Sequence, residues 1–242
     1  MALNINSSSG AYRNYSGNAS SLDKSTRRLS SGYRINAAGD DAAGLAISEK
    51  MRAQITSQQA QYQNKQNEIA SARTGDGALS TVHDALGRMR ELAMQASGGV
   101  YTDSDRAMLQ KEFSQLQSQI GNVFESTNFN GNQLLDNDLD ISGLSIGTQD
   151  GAMAALSGLS TAIDAVSSQR SDFGAEQVGA EYAASGLMNA MVNTQDAESE
   201  IRDLDIALAV MENTRKKILH QSSVAMLAQA NQNASGVMRL LQ

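Results

Sequence analysis

Apolar residues recur along this chain at spacings of three and four, a pattern typical of helices that pack along a narrow seam. The same rhythm runs upstream of the clearest seam to about residue 51, so we predict one helix from just after Asp40 and Asp41 to Ala96, roughly 80 Å long at 1.5 Å per residue. Gly75 and Gly77 fall inside this run and predict an interruption in it. The clearest seam comprises Leu79, Val82, Leu86, Met89, Ala93 and Ala96.

The remaining pattern predicts two more helical regions and a loop between them. A third helix begins near Thr102 or Asp103, and the segment 126–131 after it has the composition of a turn. Glycines punctuate residues 136–158, which we interpret as a loop with at most a short hairpin. A last helical region runs from about Leu159 to Leu241. The stripe of the third helix comprises Met108, Leu109, Phe113, Leu116, Ile120, Val123 and Phe124.

Both ends of the chain carry helical patterns of poor content. Ser, Asn and Gly dilute the N-terminal seam, and Gln, Asn and Ser dilute residues 221–242, so neither helix should be stable alone in water. We hypothesise that the ends become ordered only by packing on each other and on neighbouring subunits. The candidate packing residues are Tyr12, Tyr15, Leu22 and Leu29 at one end, and Ile201, Leu204, Leu208, Met211 and Ile218 at the other.

Composition supports an all-helical protein. The 242 residues include no Pro, no Cys and no Trp, and aromatic residues make up only 4%. Pro disrupts helix interiors, and aromatic residues favour sheets, so both deficits fit long helices. The net charge of −7 comes without a basic patch, which argues against a nucleic acid partner.

Nothing in the sequence predicts a membrane protein or a Sec substrate. The N-terminus lacks the basic and apolar regions of a signal peptide, and no apolar run approaches the ~20 residues of a membrane span. The amphipathic ends lack the Lys-rich polar face of interfacial helices, so we do not favour membrane binding.

No catalytic or metal motif is present. His83 and His220 are the only histidines, and each lies beside a helical seam, so we expect no enzyme activity, no cofactor and no metal. Asp40 and Asp41 suggest either a cation site or the N-terminus of a helix. We favour the helix start, where these carboxylates with Arg28 and Arg34 would form a structural joint between two domains.

Several stretches resemble bacterial flagellins, in family order and over nearly the whole chain. RLSSGYRINAAGDDAAG at residues 28–44 resembles the N-terminal signature, and RMRELAMQAS at 88–97 and TNFNGNQLL at 127–135 follow it. On the C-terminal side, SSQRSDFGAEQ at 167–177, AESEIRDLDIA at 197–207 and MLAQANQ at 226–232 are also similar to the family.

The resemblance implies an all-α fold in which the N- and C-terminal helices pair as an inner coiled coil beside an outer helical bundle. By this likeness, residues 1–42 and 203–242 form the inner domain, and residues 43–202 form the bundle, with a short loop or hairpin near 136–158. The function implied is that of a structural subunit of the flagellar filament. A related hook–filament junction protein is the main alternative, and an enzyme displayed on this scaffold is another.

The resemblance also implies partners and a location. A flagellin leaves the cell through the flagellar type III apparatus, which fits the missing signal peptide. It polymerises with itself, meets cap and junction proteins, and binds an export chaperone through its C-terminal segment. In some lineages the vertebrate flagellin-sensing Toll-like receptor detects it, and the receptor-contact pattern falls here on Arg88, Leu92 and Glu112.

Overall fold

The computed structural model describes residues 2–135 and 139–240, which contain five helices and one short hairpin. The all-α prediction, which allowed one short hairpin, is confirmed. In chain order the elements are α1 (Ala2–Ser31), α2 (Ala42–Ser97), α3 (Asp103–Ser126), β1 (Asn128–Phe129), β2 (Asn132–Gln133), α4 (Gln149–Arg202) and α5 (Ile206–Leu240).

Helix α2 runs through both glycines, which confirms the prediction of one helix up to Ala96 but not the interruption that the glycines suggested. The ring of Phe173 packs directly against Gly75, and a Cβ built on that glycine would lie 2.7 Å from the ring's Cζ. Gly75 therefore allows a close approach of an aromatic ring to the helix backbone. Gly77 faces open space.

These two glycines give a matched pair of substitutions with opposite expected signs. We expect Gly75→Ala to lower the free energy of unfolding by about 1–3 kcal/mol, because the methyl group overlaps the Phe173 ring. Gly77→Ala should raise it by up to about 1 kcal/mol, because alanine favours the helix and nothing obstructs its Cβ. Urea unfolding followed by circular dichroism measures both, and a shift of the same sign in the two variants would contradict this account of Gly75.

The turn from α2 to α3 is held by side chains that bind the ends of both helices. Thr102 and Asp105 form a capping box at the start of α3, as the predicted start near Thr102 requires. The buried guanidinium of Arg106 donates to the carbonyl oxygens of Ala96, at 2.9 Å, and of Gly98, at 3.1 Å. Arg106 therefore satisfies carbonyls that the end of α2 leaves without helical partners.

The region after α3 differs from the prediction in two places. The hairpin lies at residues 128–133 around Asn130 and Gly131, ahead of the predicted loop, and α4 begins at Gln149 instead of near Leu159. Thr148 starts the helix by accepting a hydrogen bond from the backbone of Gly151, and Leu144 packs closely against Gly158. Gly151 and Gly158, two of the glycines that suggested a loop, thus belong to the helix. Residues 136–138 of the predicted loop lie outside the described residues.

The last predicted helical region is two helices. Helix α4 ends at Arg202, and α5 begins at Ile206 after the segment 203–205. The carboxylate of Asp205 accepts a hydrogen bond from the backbone N–H of Leu208 at 3.0 Å, which is the geometry of an N-cap.

The chain divides into two compact units. The terminal unit comprises Met1–Ser57 and Met191–Gln242, and the central unit comprises Gln58–Ala190. The predicted domain limits, at residues 42 and 203, stay a prediction.

The central unit contains the main apolar core. The predicted α2 seam is fully buried there, together with Phe113, Ile120 and Phe124 of α3 and residues of the first half of α4. Leu139, Ile141 and Ile146 of the connecting segment complete it. Burying each large apolar side chain contributes about 1.5–3 kcal/mol to the free energy of unfolding, so we expect this core to stabilise the central unit on its own.

Candidate assembly interface

Helices α1 and α5 of the terminal unit pack against each other, as predicted for the two ends of the chain. Their less exposed residues recur with alternating spacings of four and three, the heptad pattern of a coiled coil. The pairing is antiparallel, because Asn18 contacts Ser223 while Thr26 contacts Asn213. The seam comprises Ala11, Tyr15, Asn18, Leu22, Ser25 and Leu29 on α1, and Ala209, Asn213, Lys216, His220, Ser223, Leu227 and Ala230 on α5.

Small and polar residues dominate this seam, in contrast to the core of the central unit. Asn18 donates to Ser223 at 2.9 Å, and Asn213 donates to Thr26 at 3.2 Å. The rings of Tyr15 and His220 lie 5.3 Å apart. Few large side chains are buried, so the seam provides little of the apolar burial that stabilises a helix pair.

Five large apolar residues of α5 lie exposed outside its seam with α1. Met211 is 63% exposed and Ile218 is 60% exposed. At 3.6 residues per turn, both point away from the seam position Ala209. We call this face the apolar stripe, and it comprises Leu208, Met211, Ile218, Leu219 and Met226.

The structure thus separates the predicted packing residues into two groups. Tyr15, Leu22 and Leu29 lie in the seam between α1 and α5. Four others are exposed and lie outside this seam: Tyr12, Leu208, Met211 and Ile218. This corrects any assignment of these four residues to the contact between the two helices. The spacing of three and four fits either face of α5, and apolar content alone favoured the wrong one for this contact. Whether the exposed residues pack between subunits stays a prediction.

Ile201 and Leu204 lie half-buried where the two helix breaks of the terminal unit meet. Tyr33 and Asp203 form an isolated antiparallel bridge. Leu204 donates its backbone N–H to Gly32 at 3.0 Å, and Arg34 donates its own to Arg202 at 2.7 Å. No local pattern along the chain indicates this bridge, because it joins residues 170 positions apart.

The side chain of Arg202 strengthens this contact. Its guanidinium lies 4.5 Å from the centre of the Tyr33 ring, a cation–π distance. It also contacts Glu49 at 3.3 Å and Glu198 at 3.8 Å. Sequence reasoning missed Arg202 as a residue that holds the two ends of the chain together.

The predicted joint residues form two separate contacts in the terminal unit. Asp40 accepts from Lys24 at 2.6 Å and from Arg28 at 3.4 Å. The hydrogen bond from Lys24 is the main cause that lowers the pKa of Asp40 to about 2, so this carboxylate stays ionised at all ordinary pH. Arg34 lies elsewhere, since its guanidinium donates to the carbonyl of Ile201.

Asp41 occupies the start of α2, as the favoured interpretation requires. Its carboxylate accepts the backbone N–H of Gly44 at 2.9 Å, the bond expected of an N-cap. Within the described ranges, no group of three His, Asp or Glu residues could hold a metal ion, Asp40 and Asp41 included. In the same part of the chain, no helix is long and apolar enough to cross a membrane.

The three residues of the receptor-contact pattern do not share one surface in the central unit. Arg88 is exposed and contacts both Glu112 and Glu91 at 2.9 Å. These hydrogen bonds, that to Glu112 above all, raise the pKa of Arg88. Leu92 is 0% exposed and belongs to the core, so a direct contact through its side chain is ruled out in this conformation.

Two protein-family models match this chain and identify its family. A model of the bacterial flagellin N-terminal helical region matches residues 3–139. A model of the bacterial flagellin C-terminal helical region matches residues 156–241. The chain belongs to the bacterial flagellin family.

Individual flagellins are similar over almost their whole length. A flagellin of Halalkalibacterium halodurans is 42% identical, with 96% of each chain covered. The flagellar filament 30.7 kDa core protein of Treponema maltophilum is 38% identical over 100% of both chains. A flagellin of Bacillus subtilis is 36% identical over 94% of this chain and 95% of its own. Only residues 134–148 separate β2 from α4 here, so this is a minimal flagellin with almost no variable outer region.

Proposed function

We propose that this flagellin is a structural, non-enzymatic subunit that polymerises into the bacterial flagellar filament outside the cell. The observation that carries the proposal is the apolar stripe of α5. Its five residues lie exposed on a helix whose seam residues already pack on α1. A second copy of this chain is the occupant that we assign to the stripe, because relatives that match the full chain are named filament core proteins.

The seam and the apolar stripe of α5 contribute differently to assembly. The seam with α1 is small and polar, so the helix pair gains little free energy within one subunit. Covering the stripe in a lattice adds about 25 cal/mol for each Å² of apolar surface removed from water. The pair is therefore stabilised chiefly by its neighbours, and a contact between unlike surfaces that does not close produces an open helical polymer.

The alternative functions have less support. A junction protein would share the terminal helices but form a short ring, and the relatives at 34–42% identity are named flagellins and filament core proteins. An enzyme on this scaffold would need a catalytic domain in the variable region. Fifteen residues, 134–148, are too few to fold one.

The remaining partners are expectations that follow from family membership. We infer export through the flagellar type III apparatus, an export chaperone on the C-terminal segment, and contact with cap and junction proteins. The exposed stripe supports a chaperone, since it would otherwise remain in water before assembly. Recognition by the flagellin-sensing Toll-like receptor would use Arg88 and Glu112, while Leu92 would support this surface from beneath.

Electron microscopy of the purified full chain tests the proposed function. We expect monomers at low precipitant concentration and long helical filaments at raised precipitant concentration, because precipitants such as sulfate favour apolar burial. Short rings of few copies would support the junction protein instead. A chain that stays monomeric under all these conditions, with or without short filament seeds, would refute the proposal.

A further inference from the structure

Two of the five residues of the apolar stripe are methionines. Met211 is 63% exposed and Met226 is 64% exposed. Solvent-accessible thioethers are oxidised to sulfoxides, which converts a flexible apolar side chain into a polar one. Met89, in the core of the central unit, is 0% exposed and provides a protected reference in the same chain.

We propose that Met211 and Met226 form an oxidation site that controls assembly, such that the sulfoxide form of the stripe does not polymerise. The inference rests on the proposed function, because it takes the stripe to be covered by a second copy. It adds a chemical modification, a class of oxidant and a state of the subunit in which the reaction occurs.

The reaction balances with a two-electron oxidant of the peroxide class. A lone pair of the methionine sulfur attacks one oxygen of hydrogen peroxide, the O–O bond breaks, and an S–O bond forms. The departing hydroxide takes up the remaining proton and leaves as water. The sulfur is oxidised by two electrons, the peroxide is reduced by two, and a sulfoxide reductase acting with a thiol can reverse the change.

Met211 and Met226 lie at positions where oxidation would affect assembly. Met211 lies beside Val210, Ile218 and Leu219 along the face of α5. Met226 lies further along the same helix, in a groove that it shares with Leu219 and with Ala11 and Asn14 of α1. A sulfoxide oxygen that a neighbouring subunit covers must give up its hydrogen bonds to water, so we expect each to raise the concentration needed for assembly roughly tenfold.

The same reasoning gives a difference between the free subunit and the polymer. Before assembly both sulfur atoms face solvent and react. After assembly the neighbouring subunit covers them, so the filament should be oxidised at these positions much more slowly than the monomer.

A partition experiment on the wild-type full chain tests the site directly. Monomers are treated with hydrogen peroxide until about half of each exposed methionine is oxidised, assembly is induced, and filaments are separated from unassembled protein. Peptide mass spectrometry then gives the sulfoxide fraction at each methionine in both samples. We expect sulfoxide at Met211 and Met226 to be at least about fivefold enriched in the unassembled sample.

Met153 is the matched control within the same molecules. It is 55% exposed, lies on α4 in the central unit and is not part of the stripe. Its sulfoxide should divide equally between the two samples. Equal partition at Met211 and Met226, or exclusion of Met153 sulfoxide to the same degree, would overturn the proposal.

Variants and enzymatic repair provide independent measurements. The double variant Met211→Leu with Met226→Leu should assemble after peroxide treatment at the rate of untreated protein, whereas Met153→Leu should remain sensitive. Treatment of oxidised wild type with both stereospecific sulfoxide reductases and dithiothreitol should restore assembly. An oxidised double variant that fails like oxidised wild type would refute the inference.

The outcomes separate this inference from the proposed function. Untreated protein that forms filaments, together with oxidised protein that forms them equally well, refutes only the oxidation site. Untreated protein that never forms filaments refutes both.

Discussion

Met211→Asp and Ile218→Asp will each abolish filament formation by the purified protein while leaving the central unit folded. Both side chains are exposed, and neither contributes to the α1–α5 seam, so a carboxylate costs little in the free subunit. Covered by a neighbouring subunit, the same carboxylate would lose its water without an opposite charge, which costs several kcal/mol. Every subunit carries the substitution, so this cost in free energy applies at each contact of the lattice.

Sedimentation and electron microscopy measure filament formation, and circular dichroism confirms that helix content is retained. Met211→Leu is the matched control, because leucine keeps the volume and the apolar character. We expect this control to assemble at nearly the wild-type concentration. Filaments of normal length from either aspartate variant would contradict the assignment of the stripe to a contact between subunits.

The sequence was sufficient to predict elements and seams where apolar content and period agree. The α2 seam from Leu79 to Ala96 is buried in full, and α3 begins at Asp103, where its start was predicted. Long helices with strong periodic patterns are the most reliable elements to predict, because burial and local propensity favour the same structure. The pairing of the two ends was hypothesised on a different ground, because both carry helical patterns too poor in apolar residues to be stable alone.

The face of α5 that contacts α1 could not be predicted from its content. Ala209, Ser223 and Asn213 occupy this contact, whereas Met211 and Ile218 face away from it. The usual rule assigns apolar residues to the inside of one chain. It fails here because a subunit that polymerises must bury apolar surface against copies of itself. The pattern along one chain does not show which apolar face makes that contact.

Glycines misled the sequence interpretation for a related reason. Gly75 and Gly158 suggested a break and a loop, yet each lies inside a helix where another side chain approaches closely. A close approach depends on tertiary packing and leaves no local signal. Leu92 shows the same limit, because a motif can assign a residue to a surface while packing places it in the core.

Arg106→Ala will destabilise the central unit more than any substitution of an exposed charge. The side chain of Arg106 is 8% exposed and donates to two carbonyl groups at the end of α2. Its third contact, with Asp103 at 3.3 Å, adds less, because that carboxylate is 97% exposed. Removal of the guanidinium leaves the carbonyl of the fully buried Ala96 without this donor, so we expect a loss on the order of 3 kcal/mol.

Hydrogen exchange of the full chain in the presence of low denaturant measures this loss at the α2 amides of the central unit, independently of the ends of the chain. Arg90→Ala removes an equal charge from an exposed position of α2 and should change the stability by less than about 0.5 kcal/mol. Arg106→Lys should fall between the two, because a single ammonium group cannot reproduce the fork that spans both carbonyls. If Arg106→Ala and Arg90→Ala gave equal protection, water would have replaced the guanidinium, and the turn between α2 and α3 would owe its stability to the capping box alone.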